Sequence, residues 1–230
     1  MEILAKRTIA FVLYPGLTLL DLIGPLEVLS KLGPSYQTIL VGECLEPMDT
    51  SLPIWITAER TFKEASDPFA IIVPGGSGGA IRAMGDEELI EVLISADKTA
   101  KMVGSICTGS LVLASAGLLQ GRKATTHWSY APFLSKLGAE FVKKRWVQDG
   151  KYITSAGVSA GIDMALELAS QLVGVEVAKK IQLGLEYDPQ PPQGAIDWND
   201  VDLDERLPLI KSKMRSELAH RPELLEKLMS

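Results

Sequence analysis

Short runs of apolar residues, separated by segments of helical pattern, constrain the fold of this chain more than any other feature. Three such runs lie at 8–14, 69–73 and 102–106, and turn-forming or small residues follow them. Near-continuous apolar runs are typical of strands buried on both faces of a parallel sheet. Because apolar residues at helical spacing occupy the intervals, the alternation predicts right-handed βαβ units. We therefore expect an α/β fold, with a parallel sheet covered by helices on both faces.

The other elements follow from the same patterns. Further strands are predicted at 36–42, 123–126 and 152–155, and helices at 87–98, 108–116, 129–137, 159–173 and 175–185. Pro25 interrupts the helical pattern of 18–32, so that helix either begins near Gly24 or is kinked. Residues 54–61 fit either a small hairpin or an extended crossing. A Pro-rich strap at 188–194 ends the compact part, so we place one domain at 1–190. The remaining 191–230 form a tail of one or two helices that packs on the domain or on a partner subunit.

Charge and composition exclude several classes of function. The net charge is −6, which argues against a nucleic-acid partner because phosphate contacts need clustered cations. Two cysteines and two histidines are too few for a disulfide framework or a structural zinc site, and we expect no metal and no cofactor. Residues 1–7 lack a signal-type apolar run, and the apolar stretch 9–32 is broken by charges and prolines. We expect a cytoplasmic protein without a membrane partner.

The segment 102–109 places Cys107 directly after a buried strand and before a predicted helix. Such a sharp strand-to-helix turn exposes the side chain above the sheet, as in a nucleophile elbow. The helix N-terminus is expected to lower the pKa of the Cys107 thiol. A buried structural cysteine is the alternative, since free cysteine is among the most buried residue types. Cys44 has no helix start behind it, and for this residue a structural role is favoured.

Glycines and acids follow two of the other predicted strands. The backbone N–H groups of Gly75 and Gly76 can face a ligand or a developing negative charge, although a plain glycine turn is the alternative. Asp21 and Glu27 follow the first strand, and a carboxyl beside a thiolate has a raised pKa and can donate a proton. A helix N-cap is the alternative for Asp21, and a solvated helix face for Glu27. His127 ends a strand, either within reach of the cysteine or as a packing residue.

An ordered set of motifs resembles the ThiJ/PfpI superfamily, whose members have a flavodoxin-like, class I glutamine amidotransferase-like fold. The resemblance spans about 9–192 and is carried by LYPG, LDLIGPLEV, IVPGG, ICTGSLVLASAGLL, GRKATTHW and TSAGVSAGIDMALEL. Within the superfamily the chain is most similar to the isonitrile hydratase branch, a similarity that includes EYDPQPP at 186–192.

This resemblance implies roles for particular residues. Cys107 matches the nucleophile, Asp21 the acid, and Thr108 a position that the branch also requires. Thr108 stands where the protease-like branch has histidine, which argues against a Cys–His protease. The branch hydrates R–N≡C to an N-substituted formamide. The implied route is a Cys107 thioimidate with Asp21 as proton donor and backbone N–H groups near Gly76 and Thr108 holding the nascent charge. Gly75, Gly76 and His127 are the expected substrate-binding residues.

A non-enzymatic protein that senses a ligand or a redox change is the alternative function. Similar domains precede a helix-turn-helix region in AraC-type regulators, but only about forty residues follow the strap here, where such a region needs roughly a hundred. Asp21 and Thr108 beside Cys107 favour the enzyme, because an oxidation sensor needs only an activated, accessible thiol. The family also implies a homodimer that acts on a small molecule.

Overall fold

The computed structural model describes residues 6–230. Most of the segment 1–7, for which we expect no signal sequence, therefore lies outside the described residues. The strands are β1 (Arg7–Val12), β2 (Tyr36–Gly42), β3 (Met48–Asp49), β4 (Trp55–Ile56), β5 (Arg60–Thr61), β6 (Ala70–Val73), β7 (Met102–Ser105), β8 (Lys123–Ala124), β9 (Glu140–Phe141), β10 (Trp146–Asp149) and β11 (Tyr152–Ser155). The helices are α1 (Leu19–Leu29), α2 (Ser77–Met84), α3 (Glu87–Asp97), α4 (Gly109–Ser115), α5 (Ala131–Lys136), α6 (Ala160–Val173), α7 (Val175–Gly184), α8 (Leu207–Glu217) and α9 (Pro222–Met229).

A seven-stranded sheet in the order β10-β11-β7-β6-β1-β2-β5 forms the centre of the molecule. Neighbouring strands pair in parallel from β11 to β5, while β10 runs antiparallel to β11. The central strand β6 is buried along its whole length, as the continuous apolar run predicts. The expected fold class, a mostly parallel sheet of flavodoxin-like type, is confirmed.

Two groups of helices pack around this sheet. In one group α6 contacts α1, α7 and β11. In the other, α4 contacts β6, β7, α2, α3 and α5, and α2 and α5 in turn contact the tail helices α8 and α9. None of the helices within 6–230 has the length and apolar character that crossing a membrane requires.

Several elements differ from the predictions. The helix α1 runs through Pro25, so it does not begin near Gly24, because Leu22 in its first turn is already buried in the core. The 54–61 segment is split, since β4 pairs with β3 and β5 extends the main sheet beside β2. The helix α2 and the strand β10 were not predicted. The glycines of α2 gave the segment no helical pattern in the sequence. Gly79 is nevertheless required there, because a Cβ at this position would lie 2.5 Å from the carbonyl carbon of Gly16.

The tail packs against the same chain. Four apolar side chains form a stripe along the tail helices and are buried in the main core: Ile210, Met214, Leu218 and Leu228. Two ion pairs of 3.0 Å, Arg82–Glu217 and Arg221–Glu87, join the tail to the region of α2 and α3. The strap at 188–194 is exposed. The stripe is therefore covered by its own domain.

Candidate active site

The candidate site lies where the three central strands β7, β6 and β1 end. Parallel strands end at one edge of the sheet, and ligands bind there at the point where the strand order reverses. That point lies at β1, which has β2 on one side and β6 and β7 on the other. Asp21 follows β1, Gly75 follows β6 and Cys107 follows β7. The strands of Asp21 and Cys107 are not neighbours, since β6 separates them.

Gly75 is the residue that allows the two side chains to approach each other across β6. A Cβ at this position would lie 2.6 Å from Asp21 Oδ2, 2.7 Å from the Thr108 nitrogen and 2.8 Å from Cys107 Cβ. Real side chains do not tolerate such distances, and here the neighbours include backbone. Gly75 is thus the point at which Asp21, Cys107 and Thr108 converge, and its missing side chain leaves them room.

Cys107 occupies a strained elbow that its surroundings hold in place. Its φ of 54° lies in the left-handed region, which residues other than glycine rarely adopt. The carbonyl oxygen of Cys107 accepts hydrogen bonds from Thr126 Oγ1 and Ser110 Oγ, both at 3.1 Å. Two residues further on, a Cβ at Gly109 would lie 2.2 Å from the Val73 carbonyl oxygen, so only glycine fits. The strand–Cys–Thr–Gly pattern therefore encodes this turn.

Thr108 connects the cysteine with the glycine turn. The Gly76 N–H donates to Thr108 Oγ1 at 2.9 Å. The Thr108 hydroxyl and backbone N–H both act on Cys107 in the direction that lowers its thiol pKa. The Val158 N–H acts on the thiol pKa in the same direction. Because the Gly76 N–H is already engaged with Thr108, it is not a free donor for the nascent charge, in contrast to the expectation from the resemblance. The Thr108 hydroxyl faces the sulfur in its place.

Asp21 is fully buried and lies within α1, whose N-cap is Thr18, so the N-cap alternative for Asp21 is wrong. Its Oδ2 accepts the Gly75 N–H at 3.1 Å, while Oδ1 has no hydrogen-bond partner within 6–230. Burial raises the pKa of this carboxyl from 3.8 to about 7, against the lowering effect of hydrogen bonds from Gly75 and Cys107. The carboxyl therefore gains and loses its proton near neutral pH. Glu27 is instead exposed and paired with Lys31 at 3.0 Å.

The expectation of a lowered thiol pKa at Cys107 is wrong. Burial raises the pKa of this thiol well above its ordinary value, and the negative charge of Asp21 raises it further. Hydrogen bonds from Val158 and Thr108 act in the opposite direction but are outweighed. At neutral pH the sulfur therefore keeps its proton until a neighbouring base removes it. Asp21 is the acidic residue in contact that can accept this proton.

A cavity of about 220 Å³ opens in front of Cys107. His127 lies on its wall, with Nδ1 at 2.8 Å from Ser129 Oγ, and burial together with the charge of Arg206 lowers the His127 pKa. The imidazole is therefore neutral at pH 7. The tail closes the other side of the cavity with Arg206, Leu209, Ile210 and Lys213. The sequence analysis did not identify these four residues, because nothing in the sequence of the tail indicates on which surface the tail packs.

The remaining candidate groups lie elsewhere. Cys44 is exposed and borders a different cavity. Across residues 6–230, no cluster of three or more His, Cys, Asp or Glu side chains is placed to hold a metal ion.

The fold and the site together define a class of protein. Its members are flavodoxin-like α/β domains with a cysteine elbow and a buried carboxyl at the switch point of the sheet. The DJ-1/PfpI family model matches residues 7–171, and the chain belongs to this family. It is 47% identical to the isonitrile hydratase of Pseudomonas putida over 185 residues, which covers 80% of either chain. A ThiJ/PfpI family protein from Pseudomonas syringae has a similar structure, with a TM-score of 0.84, 32% identity and coverage of 98% of this chain and 91% of that one. Drosophila melanogaster DJ-1beta has the same fold, with a TM-score of 0.73, 24% identity and coverage of 80% and 100%.

Proposed function

We propose that this protein is an isonitrile hydratase, which adds water to R–N≡C and releases R–NH–CHO. The observation that carries the proposal is the convergence of the Asp21 carboxyl, the Cys107 sulfur and the Thr108 hydroxyl at Gly75. The 47% identity to an isonitrile hydratase supports the same reaction.

The first half of the reaction uses Asp21 as a proton relay. An isonitrile carbon is basic, and protonation turns it into an electrophile. Asp21 accepts the proton of the Cys107 thiol and delivers it to that carbon, while the sulfur attacks the same atom. The C–S bond forms and the product is a thioimidate, R–N=CH–S. A carboxyl with a pKa of about 7 suits this task, because proton relays work best when their pKa lies near the working pH.

The second half consumes one water molecule. Its oxygen attacks the thioimidate carbon and one of its protons passes to nitrogen, which leaves R–NH–CH(OH)–S. The C–S bond then breaks, the second water proton returns to sulfur, and the carbonyl of the formamide forms. The Thr108 hydroxyl, held by the Gly76 N–H, stabilises the charge that develops on sulfur in both halves.

The direct test is hydration of a simple alkyl isonitrile, followed by NMR for the N-alkylformamide. Wild-type protein and a Cys44→Ser variant should form it at equal rates, because Cys44 is exposed and borders a different cavity. Cys107→Ser should form none, because a serine hydroxyl is a far weaker acid than a thiol. Formamide production by a folded Cys107→Ser variant would remove the thioimidate route.

The alternative, a redox-sensing protein, makes a different demand on the thiol. Oxidation by peroxide proceeds through an accessible thiolate of low pKa. Cys107 has only 5% of its surface exposed and a raised thiol pKa, which weighs against this function. Rapid and selective oxidation of Cys107 by micromolar peroxide, without isonitrile turnover, would favour the sensor.

A further inference from the structure

The tail contributes two cations to the cavity in front of Cys107. Lys213 on α8 and Arg206 directly before it both line this cavity. Lys213 is half-buried and its Nζ donates to Ser77 Oγ at 3.0 Å. Arg206 lies close enough to His127 for its charge to act on the imidazole. Arg206 is exposed and Lys213 is half-buried, and both line the space in front of Cys107.

Neither cation forms an ion pair within the described residues, although the Glu217 carboxylate and the Lys213 side chain both approach Gly78. No carboxylate within 6–230 lies within ion-pair distance of Arg206 or Lys213, although Asp204 and Glu205 directly precede Arg206 in the sequence. The cavity lining includes no Asp or Glu side chain among these residues. By contrast, Arg82 on the neighbouring helix is paired with Glu217 at 3.0 Å. A pocket with two unpaired cations on a chain of net charge −6 is a local feature that favours an anionic ligand.

The size of the cavity favours a small ligand. At about 220 Å³ it is smaller than the roughly 300–1,000 Å³ that is typical of pockets for drug-sized molecules. Apart from the cations, the tail contributes the apolar side chains Leu209 and Ile210 to the wall. A short aliphatic chain that ends in a carboxylate fits both the volume and this lining.

We propose that Arg206 and Lys213 recognise a carboxylate on the substrate that reacts at Cys107. Combined with the hydratase function proposed above, on which this assignment of a substrate class rests, the preferred substrates are short isocyano-carboxylates. The carboxylate is held at the tail side of the cavity and the isonitrile carbon points to the sulfur. Arg206 and Lys213 determine specificity and take no part in bond making.

Two alkylating reagents test the charge preference without any hydration. Iodoacetate and iodoacetamide have nearly the same size and differ in one negative charge. In a Cys44→Ser background, the rates at which each modifies Cys107 are measured by intact mass at low ionic strength, where charge effects are least screened. Arg206→Gln and Lys213→Gln should each lower the iodoacetate-to-iodoacetamide rate ratio at least threefold, and the double variant at least tenfold. Lys211→Gln and Arg215→Gln remove cations of α8 that do not line the cavity and should leave the ratio unchanged.

Hydration of isocyanoacetate and of its methyl ester provides the second measurement. The double Arg206→Gln/Lys213→Gln variant should lose at least tenfold in kcat/KM for the carboxylate and less than twofold for the ester. If neither substrate is hydrated but the alkylation ratios change as expected, the hydratase function is refuted. Carboxylate recognition by Arg206 and Lys213 then still stands. An alkylation ratio that is the same in the double variant and the wild type would overturn the recognition proposal, whatever the protein hydrates.

Discussion

Replacement of Asp21 by asparagine should lower the activity of the protein and raise its stability at alkaline pH. In the wild type the Gly75 N–H donates to Asp21 Oδ2 at 3.1 Å, and the asparagine side chain keeps an oxygen that can accept this hydrogen bond. The asparagine amide, however, cannot relay a proton. Lost general acid–base help costs about 10²- to 10⁴-fold. At about 1.36 kcal/mol per factor of ten, this raises the barrier by about 3–5 kcal/mol. We expect turnover of an alkyl isonitrile to fall by at least 10²-fold.

The same change should stabilise the fold at alkaline pH. The pKa of Asp21 is about 7 in the folded chain against 3.8 ordinarily, so the folded state binds the proton more tightly. Wild-type stability therefore falls as the pH rises from about 4 to about 7 and then levels off. The full difference between the two pKa values corresponds to about 4 kcal/mol, as an order of magnitude. The asparagine variant has no such charge to bury and escapes this loss.

Urea unfolding of both proteins at pH 5 and pH 8 measures the effect. The stability of Asp21→Asn relative to wild type should rise by about 2–3 kcal/mol between these pH values, because most of the linkage window lies between them. Glu27→Gln is the matched control on the same helix, since Glu27 is exposed, and it should change neither turnover nor this pH dependence by much. A flat stability difference from pH 5 to pH 8, or turnover within tenfold of wild type, would refute the role of Asp21 as a buried relay.

Four further outcomes are expected. Alkylation of Cys107 by iodoacetamide should show its inflection above the ordinary thiol pKa, because burial raises it, and an inflection below about 8 would contradict the buried-thiol geometry. Thr108→Val should lower kcat at least tenfold by removing a hydroxyl that favours the charged sulfur, while Thr108→Ser should retain most activity; equal losses in both would assign the effect to packing. Gly75→Ala should abolish turnover, since its Cβ would lie 2.6 Å from Asp21 Oδ2, whereas Gly184→Ala has nothing within 4 Å and should be silent in the same assay. Sedimentation should give a homodimer of about twice the 24.9 kDa of one chain, and a monomer mass at micromolar protein would count against it.

Much of the fold was predictable from local pattern. Buried strands of a parallel sheet have no solvent-facing side, so their apolar runs are visible in the sequence, as at 69–73 and 102–106. The elbow was predictable as well, because a strand followed by Cys107, Thr108 and Gly109 leaves the chain few other turns. The short helix α2 was missed because Gly78 and Gly79 lower helix propensity, and the close approach to Gly16 that requires Gly79 is a tertiary contact.

The sequence by itself determined which residues reach the carboxyl edge of the sheet, because strand ends and turn residues are local features. Only the tertiary structure decided the direction of the Cys107 pKa, since burial depends on every element packed around the sulfur and here outweighs the hydrogen bonds at the elbow. It alone decided that β6 separates Asp21 from Cys107 and that Gly75 leaves them room. It also decided that the tail, whose apolar stripe fits any complementary surface, folds back over the cavity and brings Arg206 and Lys213 to it. Contacts between residues a hundred positions apart in the chain carry no local signal, because they depend on how the whole chain packs.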